Sequence, residues 1–185
     1  MEQRYDLSGS LLHWYDYNKR ILPWRENKDP YRIWISEIML QQTRVEAVKP
    51  YFDRFMEVLP TVYDLAKVDD DRLMKLWEGL GYYNRARNLK AAAQTIVEEY
   101  GGQLPADYDK LLSLKGIGMY TAGAIGSIAF ELQVPAVDGN VLRVLTRLWG
   151  DDSDILKDKT KKAMGRRVME LSLIHISEPT RQEAI

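Results

Sequence analysis

Apolar residues recur at helical spacing along most of the chain, in segments separated by short polar or glycine-rich stretches. Asp29 followed by Pro30 is typical of a helix start, and we expect that helix to continue to about Val48. Pro50 is expected to begin the next helix. The same spacing predicts further helices over residues 69–77, 85–100, 107–114, 120–130, 139–149 and about 157–171. Because the period-two alternation of strands is missing, the predicted fold class is all-α.

The composition fits one soluble domain. The chain has 185 residues, of which 45% are hydrophobic, enough to form a buried core. No apolar run approaches the roughly 20 residues of a membrane-spanning helix. The N-terminus lacks the basic start and apolar stretch of a secretory signal. We therefore expect a cytoplasmic protein with no membrane partner, associated with the nucleoid if it binds DNA.

The charge and the absence of cysteine narrow the function further. With no cysteine, the chain can hold no disulfide, thiol nucleophile, thiolate-bound metal or iron–sulfur cluster. The net charge of −1 gives no sign of a nucleic-acid partner, so a DNA-binding face would require clustered cations. An ordinary solvated surface is the simpler interpretation of these cations, namely Arg85, Arg87, Arg143, Arg147, Lys157, Lys159, Lys161, Lys162, Arg166 and Arg167.

A glycine-containing turn lies between two of the predicted helices, at Lys115, Gly116 and Gly118. Two glycines at this spacing allow a tight turn and expose backbone N–H groups at the start of the following helix. Such a helix start favours a phosphate. A plain helix–helix turn would have the same two glycines. The turn alone therefore leaves both interpretations open.

Two acidic residues are candidates for catalysis. Glu37 is embedded in an apolar helical run, and partial burial would raise its pKa toward that of a general acid at neutral pH. Asp138 precedes a helix, where backbone N–H groups would hold it as an ionised carboxylate. One protonated and one ionised carboxyl suit the breaking of a bond to a sugar carbon. A surface glutamate and a structural N-cap are the alternatives.

Several motifs resemble those of a known family. Residues 111–125 resemble the helix-hairpin-helix of the DNA glycosylase superfamily. Four further motifs resemble, in order and approximate spacing, those of the MutY family of A/G-specific adenine DNA glycosylases: LPWR (22–25), WISEIMLQQT (34–43), GLGYY with RARNL (79–89) and VDGNV (137–141). The resemblance covers residues 11 to 150. It implies a helix-hairpin-helix glycosylase fold, with a six-helix barrel-like core and part of a second helical subdomain.

The resemblance implies removal of adenine mispaired with 8-oxoguanine or guanine in double-stranded DNA, by a monomeric enzyme that flips the adenine out of the duplex. Glu37 would protonate the adenine and then help to activate water, and Asp138 would stabilise the sugar cation. The remaining implied roles are an adenine pocket of Trp24, Arg25 and Leu40, wedges Gln42 and Tyr82 beside the lesion with Thr43 close by, and DNA contacts by Lys115, Gly116 and Gly118. Core packing is the alternative for Trp24 and Tyr82.

Tyr120 separates this family from its nearest relatives. Endonuclease-III-type and 8-oxoguanine glycosylases carry a lysine at this hairpin position, whose amine forms a Schiff base with the sugar. A tyrosine has no such amine, and endonuclease-III-type enzymes also lack the glutamate matched by Glu37. A monofunctional glycosylase is therefore expected. An endonuclease-III-like glycosylase/lyase and a non-catalytic helix-hairpin-helix DNA-binding module are the alternatives.

The end of the chain departs from the family pattern. Family members continue with four cysteines that hold a [4Fe–4S] cluster, and then with a further domain. We expect residues 1–170 to be a partial catalytic core that binds no cluster and has impaired activity. The segment LSLIHISEPTR, within residues 171–185, resembles a translated sequencing adapter. We expect this tail to be foreign to the protein.

Overall fold

A computed structural model describes residues 7–173. The described part is made of α-helices joined by short loops, with one 3-10 turn at Pro23–Arg25 and no strand. The helices are α1 Leu7–Asn18, α2 Pro30–Leu40, α3 Val45–Val58, α4 Val62–Lys67, α5 Asp70–Trp77, α6 Asn84–Tyr100, α7 Tyr108–Ser113, α8 Met119–Phe130, α9 Gly139–Leu148 and α10 Asp158–Leu173. The all-α prediction is confirmed. None of the described helices has the length and apolar character needed to cross a bilayer.

The chain divides into two compact units. The larger unit is Leu22–Ala136, and the terminal unit combines Met1–Ile21 with Val137–Ile185. Helix α2 lies at the centre of the larger unit, where it contacts α3, α8 and the 3-10 turn. Eight of its eleven residues are buried, including Trp34 and Ile35, which have no exposed surface. The apolar run around Glu37 therefore forms a helix buried on nearly all sides.

Side-chain caps begin several helices where the sequence supplies a suitable oxygen. The Asp29 side chain accepts a hydrogen bond from the Tyr31 amide at 2.9 Å, with Pro30 at the first helical position. Asp69 and Asp107 cap α5 and α7 in the same way. Thr61 and Asp64 form a reciprocal capping box at the start of α4. That helix is short and was not expected from the apolar spacing.

The expected helix from Pro30 to Val48 is wrong at its C-terminal end. Helix α2 stops at Leu40, and α3 begins at Val45, so that Pro50 lies inside α3 rather than at its start. At Gln42 the backbone adopts a left-handed conformation with φ of 58°. A left-handed residue cannot continue a right-handed helix. Pro50 removes one backbone hydrogen bond from α3. Burial of Val48 and Phe52 on either side of it stabilises the helix and offsets this loss.

The terminal unit has a small core of its own. Leu142 and Leu145 of α9 pack with Met164 of α10. The Arg167 guanidinium lies 4.0 Å from the centroid of the Trp149 ring and donates to Asp151 at 3.2 Å. Helix α1 was not expected from the sequence, and it exposes most of its apolar side chains. The predicted foreign tail begins within the last turn of α10, and from residue 174 onward it lies outside the described residues.

Candidate active site

Glu37 is a buried acid in the middle of α2. Its side chain is 4% exposed, and Oε1 accepts a hydrogen bond from Nη2 of Arg25 at 3.5 Å. Arg25 is 38% exposed, so one side of the pair faces solvent. The neighbouring helical positions Trp34 and Ile38 are buried. The carboxyl thus lies in an apolar setting with a cation at its entrance. The interpretation of Glu37 as a solvated surface residue is wrong.

The 3-10 turn that carries Arg25 is held by a second arginine. Nη2 of Arg32 donates to the Pro23 carbonyl at 3.0 Å, and the guanidinium lies over the Phe52 ring. Trp24, the middle residue of this turn, is 1% exposed and packs edge to face with Phe52. The structure therefore places Trp24 in the core. Its indole N–H is nevertheless buried without a hydrogen-bond partner, an unusual state for a polar group.

Arg85 joins two loops that flank the end of α2. Nη1 donates to the carbonyls of Ile38, Met39 and Gln41 at 2.8, 3.1 and 2.6 Å. Nη2 donates to Leu80 and Gly81 at 2.9 and 3.2 Å. Burial lowers the pKa of the Arg85 guanidinium, but an arginine remains charged in proteins. The cation thus stabilises the carbonyl end of the α2 dipole.

The two predicted wedges emerge from these loops. Gln42 and Tyr82 are both exposed, and both have left-handed backbones, with φ of 58° and 49°. Among the described residues other than glycine, only Glu131 shares this conformation. Leu40 is half-buried against the core, and the Thr43 amide donates back to the Leu40 carbonyl at 3.3 Å. The predicted neighbours Leu40, Gln42 and Thr43 therefore form one tight turn after α2.

The helix-hairpin-helix is present as α7, the loop 114–118 and α8. Leu114 and Ile117 anchor the loop in the core. Gly116 has φ of +81°, and a Cβ there would lie 2.7 Å from Cβ of Asn88. Both the backbone conformation and the packing thus require glycine at this position.

The start of α8 is open. Gly118 is exposed, no side chain caps it, and a Cβ there would meet nothing within 4 Å. Lys115 is also exposed, and Tyr120 has 37% of its surface accessible. The first amides of α8 therefore face a surface that an anion can approach.

A small cleft of about 50 Å³ lies beside this hairpin, lined by residues of α2, α6 and the loop. Its polar lining includes Asn88, Lys115 and Arg85. The indole N–H of Trp34, which also lines the cleft, is buried without a partner. A space of this size holds one or two water molecules rather than a base.

Asp138 belongs to the terminal unit, whereas Glu37 belongs to the larger one. The predicted N-cap is present: Oδ1 accepts from the Val141 amide at 2.8 Å, and Oδ2 accepts from Nδ2 of Asn140 at 3.1 Å. Both oxygens are therefore held in a fixed orientation at the start of α9. The two expected roles of Asp138, cap and anionic stabiliser, need the same ionised carboxylate.

The residues present do not fit the iron–sulfur cluster that the family resemblance implies. The chain has no cysteine, and the described part holds no group of three or more histidine or acidic residues able to bind a metal ion.

Sequence reasoning missed the structural roles of two arginines, one in each unit. Arg85 was grouped with surface cations, but it is half-buried and bound to backbone carbonyls, and Arg167 stacks on Trp149. Of the ten cations considered for a DNA-binding face, these two have contacts outside their own helices, whereas Arg87 and Lys161 contact Asn84 and Asp158 of their own helices. The aromatic-rich loop that precedes Arg85 was the available signal, because arginine commonly packs on such rings.

Comparison with known proteins identifies the family to which the helix-hairpin-helix belongs. The family description "HhH-GPD superfamily base excision DNA repair protein" matches residues 35–170. The chain is 47% identical over 148 residues to the adenine DNA glycosylase of Rattus norvegicus, covering 75% of this chain and 29% of that protein. It is 42% identical over 174 residues to that of Buchnera aphidicola subsp. Acyrthosiphon pisum, covering 93% and 49%.

Among solved structures, a thermostable thymine-DNA glycosylase superposes with a TM-score of 0.81 at 30% identity, covering 88% of this chain and 75% of the other. The chain thus shares its fold with that glycosylase over most of its length. It spans less than half of the length of the two adenine-specific relatives.

Proposed function

Because the chain belongs to the HhH-GPD superfamily of base excision DNA repair proteins, we propose that it is the core of an adenine DNA glycosylase. Its substrate is adenine paired with 8-oxoguanine or guanine in double-stranded DNA. Burial of Glu37 beside Arg25 is the observation that carries the proposal. The similarity to relatives named adenine DNA glycosylase supports the choice of base.

The reaction is hydrolysis of the bond between adenine and its sugar. Glu37 donates a proton to a ring nitrogen of the flipped adenine, so that the base leaves as a neutral molecule with the bonding electron pair. The sugar carbon becomes cationic, and the negative charge of Asp138 stabilises it. Water then adds to this carbon and returns a proton to Glu37. The products are free adenine and an abasic site.

The DNA contacts follow from the exposed features of the larger unit. The open start of α8, with Lys115 beside it, binds a backbone phosphate without reading sequence. Gln42 and Tyr82 enter the base stack beside the lesion and fill the space left by the adenine. In this proposal Arg25, Leu40 and Trp24 form the adenine pocket, which the contact of Arg25 with Glu37 supports. The indole N–H of Trp24, buried without a partner, is a donor that a base could use.

The proposed reaction does not include cleavage of the DNA strand. Tyr120 offers a phenol at the hairpin position where a lyase uses an amine, so no Schiff base forms there. The chemistry at this site is therefore limited to base release.

The test is a single-turnover assay with the 185-residue chain in large excess over duplex. We expect slow adenine release from A:8-oxoguanine, none from C:8-oxoguanine, and no thymine release from T:G. Glu37→Gln should lower release by about 100-fold or more while duplex binding persists. The matched control, Glu57→Gln, changes an exposed glutamate of α3. Absence of adenine release by the unaltered chain, or normal release by Glu37→Gln, would overturn the proposal.

A further inference from the structure

We propose that Arg85 is a positioning residue that holds Gln42 and Tyr82 as a coupled pair on the DNA-facing surface. This inference rests on the proposed function, because the pair matters only if the two side chains enter the base stack. The physical arrangement can be examined without DNA.

The hydrogen bonds of Arg85 connect segments that are distant in sequence. One guanidinium nitrogen binds three carbonyls at the end of α2, and the other binds the carbonyls of Leu80 and Gly81. Gln42 immediately follows the first set, and Tyr82 immediately follows the second. A single planar group therefore sets the position of the backbone on the N-terminal side of each wedge.

The conformation of the wedges requires such support. A left-handed backbone is unfavourable for side chains such as those of Gln42 and Tyr82, and it persists only where the surroundings determine it. The Arg85 guanidinium lies 5.6 Å from the centroid of the Tyr82 ring and 5.4 Å from that of Trp77. It thus contacts one wedge directly and fixes the backbone before both.

A lysine cannot replace this group. Its ammonium is a compact charge, whereas the guanidinium presents donors in a rigid plane that reaches both loops at once. Arg85→Lys keeps the charge and removes the fork. We expect both wedges to relax toward right-handed conformations in this variant.

The first experiment measures the mobility of the chain at position 42 in the absence of DNA. Because the chain has no cysteine, Gln42→Cys carries a unique nitroxide spin label. Arg85→Lys should increase the mobility of this label. Gly81→Ala should do the same without altering Arg85, because Gly81 has φ of +70° and an added Cβ strains its loop.

Gly101→Ala is the matched control. Gly101 also has a positive φ, of +61°, and open space around it, but it ends α6, away from both loops. We expect Gly101→Ala to leave the mobility of the label at position 42 unchanged. If Gly81→Ala has no more effect at position 42 than Gly101→Ala, the two loops are not coupled and the inference fails. This result is readable even if Arg85→Lys does not fold.

The second experiment measures how far the protein opens the base stack and how tightly it binds the duplex. A duplex with 2-aminopurine beside 8-oxoguanine brightens when the stack opens. Arg85→Lys should weaken this signal and lower affinity at least five-fold, but should change affinity less than two-fold when Gln42 and Tyr82 are already alanine. Arg87→Lys, in the same turn of α6, is the charge-matched control.

An equal loss of affinity in both backgrounds would overturn the positioning role. Failure of the proposed function appears differently, as no fluorescence change with the unaltered chain while the label still responds to Gly81→Ala.

Discussion

Glu37 and Arg25 form an ion pair, and the proposed chemistry depends on whether the Glu37 carboxyl is protonated. The carboxyl is 4% exposed and the guanidinium is 38% exposed. A general acid acts only in its protonated form, and a nearby cation favours the ionised form. Arg25 therefore favours the ionised form of Glu37, whereas the proposed proton donation requires the protonated form. In the proposed reaction, the contact between Arg25 and Glu37 must change before Glu37 can transfer a proton.

Arg25→Met tests this opposition. Removing the cation favours the protonated carboxyl, so adenine release should persist to higher pH. We expect the upper midpoint of the pH–rate profile to rise, because a neighbouring cation favours the ionised carboxylate and its removal reverses that effect. The midpoint is the measurement, since the maximal rate also depends on base binding. Arg72→Met, on the exposed face of α5, should leave it unchanged.

In the helix-hairpin-helix, the elements of the larger unit hold the loop 114–118 in place. Helix α7 and helix α8 contact each other, and the loop between them is anchored by Leu114 and Ile117. Gly116 lies against Asn88 of α6, and Gly123 of α8 lies against the Pro135 carbonyl, where a Cβ would come within 2.2 Å. Close packing on both sides therefore restricts the hairpin.

Gly116→Ala should destabilise the protein more than Gly118→Ala. The first places a Cβ at 2.7 Å from Asn88 on a backbone with φ of +81°, and the second places one in open space on an extended backbone. Strain of this kind costs about 1–3 kcal/mol, which lowers the melting temperature by several degrees in a chain of this size. Thermal unfolding followed by circular dichroism measures both variants. Equal melting temperatures would show that the loop adapts.

The two units of the molecule differ in how much apolar surface they bury. The larger unit contains a continuous core that includes five fully or nearly fully buried large aromatic side chains, Trp24, Trp34, Trp77, Phe52 and Phe55. Among the described residues of the terminal unit, the buried core cluster consists of three side chains. The terminal unit also exposes Trp14, Tyr17, Ile21 and Leu156, with accessibilities from 58% to 92%. A small core gives little free energy against local opening.

Hydrogen exchange should therefore distinguish the two units. We expect amides of α9 and α10 to exchange much faster than those of α2 and α6, because the latter helices contribute to the main core. Mass spectrometry of peptides after timed labelling measures the difference. Peptides of α3, which is also in the larger unit, serve as a reference for slow exchange. Equal protection in both units would contradict this interpretation.

The chain by itself determined the fold class and most of the helix starts. Asp29, Asp107 and Asp138 cap helices through hydrogen bonds to amides two or three residues away. Such contacts are local, so the residue types predict them. The apolar run around Glu37 likewise predicted burial, because a helix that is apolar on nearly every side must be covered.

The tertiary structure decided where α2 ends and what surrounds its acid. Arg85 lies more than forty residues beyond the carbonyls of α2 that it binds, so nothing in the local pattern around Val48 signals the stop at Leu40. The pairing of Arg25 with Glu37 depends on Arg32 holding the 3-10 turn in place. Periodicity records which face of an element is buried. It does not record which distant side chain supplies a hydrogen bond, because that depends on how the helices pack.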